Sequence, residues 1–155
     1  MRRTRGASGA PDATICYFHY DPSARVLAAI VPVEPVTLDI RTSDDSAYRF
    51  TRFGNATFEL EGKIRVLKLY WLEGYGGGIY VPFVDATSGT TTYGGGRYLL
   101  DTVKGADLGV EGDRLVLDFN SAYNPSCVYD PRWSCPLAPP ANRLPFDICA
   151  GERTA

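Results

Sequence analysis

Apolar and polar residues alternate with a period of two along most of this chain. Val36, Leu38 and Ile40 alternate with Thr37, Asp39 and Arg41; Tyr48 and Phe50 alternate with Arg49 and Thr51; Phe58 and Leu60 alternate with Thr57 and Glu59. Leu67, Leu69 and Trp71 share one face, as do Ile79, Val81 and Phe83, and so do Arg97, Leu99 and Asp101. In RLVLDFN, Leu115, Leu117 and Phe119 oppose Val116, Asp118 and Asn120, and ICYFHY, RVLAAIV and FDIC add further short runs. A period of 180° per residue is the pattern of half-buried strands. Turn residues separate the runs at Asp21-Pro22, Ser43 to Ser46, Gly54-Asn55, Glu61-Gly62 and Glu111 to Asp113. Only Val103 to Leu108 has room for a helical turn. The pattern predicts an all-β domain of about nine to ten short antiparallel strands, as a barrel or a barrel-like sandwich. A barrel is the first expectation because closure removes exposed edges.

The totals narrow the class. The 155 residues suffice for one domain that buries roughly two-thirds of its unfolded surface. Residues 1–13 read as a flexible tail and 14–155 as a single β domain. A net charge of −2 argues against a general nucleic-acid binder, which needs a basic face. No run approaches the eighteen or so apolar residues of a membrane span. MRRTRGASGAPDAT opens with basic residues but has no apolar core behind them, so a cytoplasmic location is expected, with its four cysteines reduced.

Residues 120–145, NSAYNPSCVYDPRWSCPLAPPANRLP, break the alternation with six prolines and two cysteines. Prolines lower the entropy of the unfolded loop, and a long loop in a compact domain is usually functional. This one is expected to cover one end of the barrel. The glycine clusters Gly74 to Gly78 and Gly94 to Gly96 lack the Gly-Lys-Ser/Thr ending and the strand–loop–helix context of a nucleotide loop. They read as bulges or hairpin turns.

Candidate chemistry gathers around these breaks. Asp118 and Asn120 lie on the strand face opposite Leu117 and Phe119. In a partly apolar pocket such a carboxylate serves as general acid or base; the bland alternative is a loop tied down by hydrogen bonds to backbone N–H. Asp85-Ala86-Thr87-Ser88-Gly89 reads first as a turn, and as a polar rim second. Arg97 offers a bidentate fork for a substrate anion, or equally for Asp85 or Asp118. Tyr98, Asn120, Tyr123, Asn124 and Arg143 complete a substrate-binding set at the loop. Cys127 and Cys135 are eight apart; zinc lacks ligands here, since the chain has one histidine, His19. Packed thiols or a local disulfide fit the pair better, and no metal or cofactor is expected.

Three stretches, PFVDATSGTTTYGGGRYLLD, LVLDFNSAYNPSC and CPLAPPANRLPFDICAGE, together with YFHYDPSARV, resemble the domain-of-unknown-function family numbered 1684, over roughly residues 17–152. The resemblance implies a prokaryotic protein and a shared site but no chemistry. It departs at Val84, where the family pattern has a basic residue, and at Ala141, where it has an acid. The leading expectation is a cofactor-independent enzyme doing acid/base chemistry on a small polar or carboxylated molecule. Asp118 or Asp85 would be catalytic and Arg97 the anion clamp. The alternatives are a non-catalytic ligand-binding barrel and a structural or interaction domain whose polar motif staples its loops.

Overall fold

The computed structural model describes residues 3–5, 13–72, 78–101 and 109–154. The first glycine cluster (apart from Gly78), the stretch Val103 to Leu108 and most of the expected N-terminal tail lie outside the described residues. Ten strands form among the described residues: β1 Arg3–Arg5, β2 Ala13–Tyr17, β3 Arg25–Arg41, β4 Ala47–Leu60, β5 Lys63–Leu72, β6 Ile79–Phe83, β7 Arg97–Asp101, β8 Val110–Glu111, β9 Arg114–Asp118 and β10 Glu152–Arg153. All pairings between them are antiparallel. Helical structure among the described residues is limited to short 3-10 turns, and no helix there is long and apolar enough to cross a membrane.

The expected barrel does not form. Seven strands make an open sheet in the order β7-β6-β5-β4-β3-β9-β8, and a smaller sheet has the order β1-β2-β10. The large sheet curls strongly. Phe119, just after β9, lies 5.3 Å from Phe83 of β6 by ring centroids. Four strand spacings of about 4.8 Å would hold these strands about 19 Å apart in a flat sheet. Among the described residues no strand pairs with the outer edge of β7, which meets irregular chain instead. The Tyr98 N–H and C=O exchange hydrogen bonds of 2.8 and 3.0 Å with the backbone of Tyr123. Residues 120–145 thus run along this edge and across the sheet as an irregular strap, with bridges from Pro136 to Thr42 and from Arg143 to Val84.

Two of the strands are longer than the alternation suggests. β3 and β4 have 17 and 14 residues, and the expected turn at Gly54-Asn55 is mid-strand. The reason is a bulge. Pro32 faces Gly54 and Val36 faces Arg52, so three residues of β3 oppose only Phe53. On the other side Arg52 faces Tyr70 and Gly54 faces Leu69, so toward β5 it is Phe53 that is the extra residue. One extra residue reverses which face a strand buries. Phe50 and Ile40 therefore enter a cluster with Tyr70, Tyr80 and Tyr98. Ala56, Phe58, Leu60 and Ala28 enter the main core with Leu67, Leu69, Val81, Phe83 and Phe119. Neighbours Leu69 and Tyr70 point to opposite sides of β5 and both are buried, so the middle of the sheet is covered on both faces.

β4 and β5 join through Glu61 (φ 53°) and Gly62 (φ 74°), the two left-handed residues of a tight hairpin turn. A stricter requirement falls at Gly151. Its φ is +80°, and a Cβ there would sit 2.6 Å from the carbonyl oxygens of both Ala122 and Phe119. Those oxygens are backbone and cannot swing away. Gly151→Ala is expected to destabilise the fold by about 2–4 kcal/mol, read as a lower urea midpoint at unchanged slope.

Candidate functional site

The polar motif residues meet around Arg97, the first residue of β7. A guanidinium stays charged at any ordinary pH, so burying one demands acceptors. Arg97 is fully buried. Its Nη1 donates to the carbonyls of Ala150 (2.5 Å) and Glu152 (3.1 Å), and its Nη2 to that of Ile148 (3.0 Å). Nη2 also lies 3.5 Å from Asp85 Oδ2, and the guanidinium carbon sits 5.0 Å from the Phe83 ring centroid. Burial pushes the Arg97 pKa down from its ordinary value, and the Asp85 carboxylate opposes that shift.

Asp85 is equally buried. Thr87 Oγ1 donates to its carboxylate at 2.8 and 3.0 Å, Ser88 Oγ at 3.2 Å and the Ile148 N–H at 2.7 Å. The Asp85 N–H donates back to Ser88 Oγ, and Thr87 Oγ1 also pairs with Thr92 Oγ1 at 2.9 Å. This is the side-chain-locked turn that Asp, Thr, Ser and Gly favour. It faces inward and grips the C-terminal segment.

Glu152 extends the network. Its Oε2 accepts from the Asn124 N–H (3.0 Å) and from the Tyr129 hydroxyl (2.8 Å). Asn124 Nδ2 donates to the Tyr129 hydroxyl at 3.1 Å, while its buried Oδ1 has no hydrogen-bond partner. Asn142 works alone nearby. β5 and β6 pair only at Tyr70–Tyr80 and Trp71–Ile79. Beyond that point Asn142 fills the split, accepting from the Lys68 N–H (2.8 Å) and donating to the Lys68 and Pro82 carbonyls (3.1 and 2.8 Å). Its amide acts there as one peptide unit of a missing strand.

Of the residues singled out from the sequence, Arg97, Asp85 and Asn124 belong to this one network. Asp118 and Asn120 belong to another. Asp118 Oδ1 accepts the Asn120 N–H and Nδ2, both at 2.9 Å, capping the 3-10 turn Phe119–Ser121. Asn120 in turn binds the backbone N–H and C=O of Asp21. Tyr98 and Tyr123 stand on the aromatic side of the sheet, with rings 5.6 Å apart in T-shaped contact. The Tyr98 hydroxyl donates to the Pro136 carbonyl. Arg143 holds its place through the backbone bridge to Val84 and is itself exposed. Glu152 and Asn142 were missed as site residues. Each stands in a motif, AGE and ANR, but period-two reading says nothing about irregular chain.

The arrangement holds carboxylates and a guanidinium, but most of their polar atoms are spent on the protein's own backbone and side chains. Among the described residues no group of three or more His, Cys, Asp or Glu side chains is placed to hold a metal ion. Burial raises the Tyr98 pKa well above its ordinary value, and the Tyr93 and Tyr70 hydroxyls are raised by the same cause. A raised folded-state value gives stability that is complete below the unfolded value of about 10 and is lost as pH rises above it. The urea midpoint should therefore fall between about pH 9 and pH 11. Tyr98→Phe should flatten that fall while costing about 1 kcal/mol at neutral pH through the lost hydroxyl bond.

The chain is similar to an uncharacterised protein of Haloarcula marismortui whose solution structure was determined by NMR. The two are 37% identical with a TM-score of 0.65, and the match covers 92% of this chain and 77% of that one. No curated protein matches the chain. The motifs gathered around Arg97 fall within residues 13–153, the stretch matched by the model of one family, so the chain belongs to the family described as protein of unknown function, DUF1684.

Proposed function

We propose that this chain is a non-catalytic structural or interaction domain, in which the motif surrounding Arg97 and Asp85 is an internal clamp. The single observation that carries this reading is the state of the Arg97 guanidinium. It is fully buried and both terminal nitrogens are engaged, by three backbone carbonyls and by Asp85. A clamp for a substrate anion needs its fork free and reachable; this one is occupied by the chain. Asp118, the other leading acid, spends its Oδ1 on a turn cap. The interaction half of the reading draws on β3 and β5, where Val31, Ile64 and Val66 remain exposed. The cytoplasmic location expected from the sequence is kept as part of the proposal.

Arg97→Lys discriminates between the readings. Lysine keeps the charge but cannot reach three carbonyls from one planar group. As an internal clamp, the substitution should cost about 3 kcal/mol, a drop of about 6–12 °C in melting temperature for a chain of this length. Acetate, succinate or phosphate should raise the melting temperature of neither form. If one of these anions stabilises the original chain and the variant melts normally but loses that response, the ligand-binding reading replaces this one.

A further inference from the structure

We propose that Cys127 and Cys135 form a thiol–disulfide site that reacts with small-molecule disulfides of the glutathione type. Neither is in a disulfide in this structure. The Cys127 N–H lies 3.3 Å from Cys135 Sγ, which places that sulfur within about 4.8 Å of the Cys127 Cα. A sulfur that close to the Cys127 Cα is within reach of a Cys127 Sγ turned toward it; a disulfide joins the two with its Cβ atoms about 3.5–4.5 Å apart. The Cys127 thiol donates to the Tyr93 hydroxyl at 4.0 Å. Rotation about its Cα–Cβ bond exchanges the tyrosine for the partner sulfur.

The intervening residues hold the two thiols together before any bond forms. Asp130 N–H donates to the Ser126 carbonyl and Trp133 N–H to that of Asp130. The Asp130 carboxylate accepts the Arg132 N–H and its guanidinium. Residues 127–135 are thus folded into a closed loop without the bond, so closing it asks little of the backbone. The flanks are anchored too: Ser43 N–H donates to the Cys135 carbonyl and Leu137 N–H to that of Arg41.

The two sulfurs differ in access, and this sets the order of events. Cys127 is half-buried and Cys135 is buried. The Cys127 thiolate attacks one sulfur of oxidised glutathione, forming a mixed disulfide and releasing one glutathione thiolate. The Cys135 thiolate then attacks Cys127 Sγ and expels the second. Two protein thiols are oxidised, one glutathione disulfide is reduced to two glutathione molecules, and two protons pass from protein to products. The new bond would pin the start of the strap to the segment whose Pro136 carbonyl receives the Tyr98 and Tyr80 hydroxyls.

The test uses the full chain carrying Cys16→Ser and Cys149→Ser, treated with oxidised glutathione while folded. The expected product has lost two hydrogens by intact mass and melts about 5 °C or more higher, and dithiothreitol reverses both changes. Adding Cys135→Ser should halt the reaction with one glutathione on Cys127. Peptide mapping of the unsubstituted chain reads the same 127–135 link without relying on any variant. Accumulation of glutathionylated Cys127 while Cys135 is intact, or two unmodified thiols after prolonged treatment, would overturn the proposal.

Discussion

A single buried cation organises this molecule. Removing a guanidinium from water costs several kcal/mol unless its donors are met, and Arg97 hydrogen-bonds three of its five donors to carbonyls and lies 3.5 Å from a carboxylate. The carbonyls belong to Ile148, Ala150 and Glu152, which are two apart. In straight extended chain the carbonyls at i and i+4 stand about 13 Å apart, so one arginine can gather all three only if the segment curves around it. Gly151, with its positive φ, lets that segment pass against the Phe119 and Ala122 carbonyls.

Much of the remaining architecture follows from that attachment. Asp85 comes directly after β6 and Val84, and Arg97 begins β7, so the pair ties the end of one strand to the start of the next. The segment they hold then continues into β10, which pairs with β2, and the Glu152 carboxylate reaches back to Asn124 and Tyr129 of the strap. The small sheet, the large sheet and the strap therefore share one polar centre. The strap also explains why the large sheet has no need to close. Tyr123 takes up the donor and the acceptor that Tyr98 would otherwise present at that edge to another chain.

The strands were legible because a half-buried strand leaves a period-two trace whatever surrounds it. The barrel was not, because the cover on the β7 edge is irregular chain with no period to read. β3 and β4 looked like four strands because Pro32, Pro35 and Gly54 are punctuation in most contexts; here they sit at or beside a bulge, and pairing resumes with the opposite face buried. Tyr48-Phe50 and Phe58-Leu60 share even parity in the sequence yet belong to opposite faces in the fold. The polar motif was visible as Asp85, Arg97 and Asn124. Its direction was not. A carboxylate and an arginine read the same whether they await a ligand or bind the chain that carries them, and carbonyls such as those Arg97 engages are present at every residue.

That last point also bears on why a costly charge sits where an apolar core residue would pack more cheaply. A hydrophobic residue at 97 would accept the C-terminal segment in several registers, since burial is not directional. Arg97 accepts one. Sliding the segment by a single residue would turn the three carbonyls away and leave the buried guanidinium with Asp85 as its remaining partner, at a penalty of several kcal/mol. Asn142 imposes a similar condition between β5 and β6, because only an amide matches the N–H and C=O of Lys68 together with the Pro82 carbonyl. Irregular chain has no ladder to set its register. In this fold, buried side chains that read backbone groups directly supply the register instead.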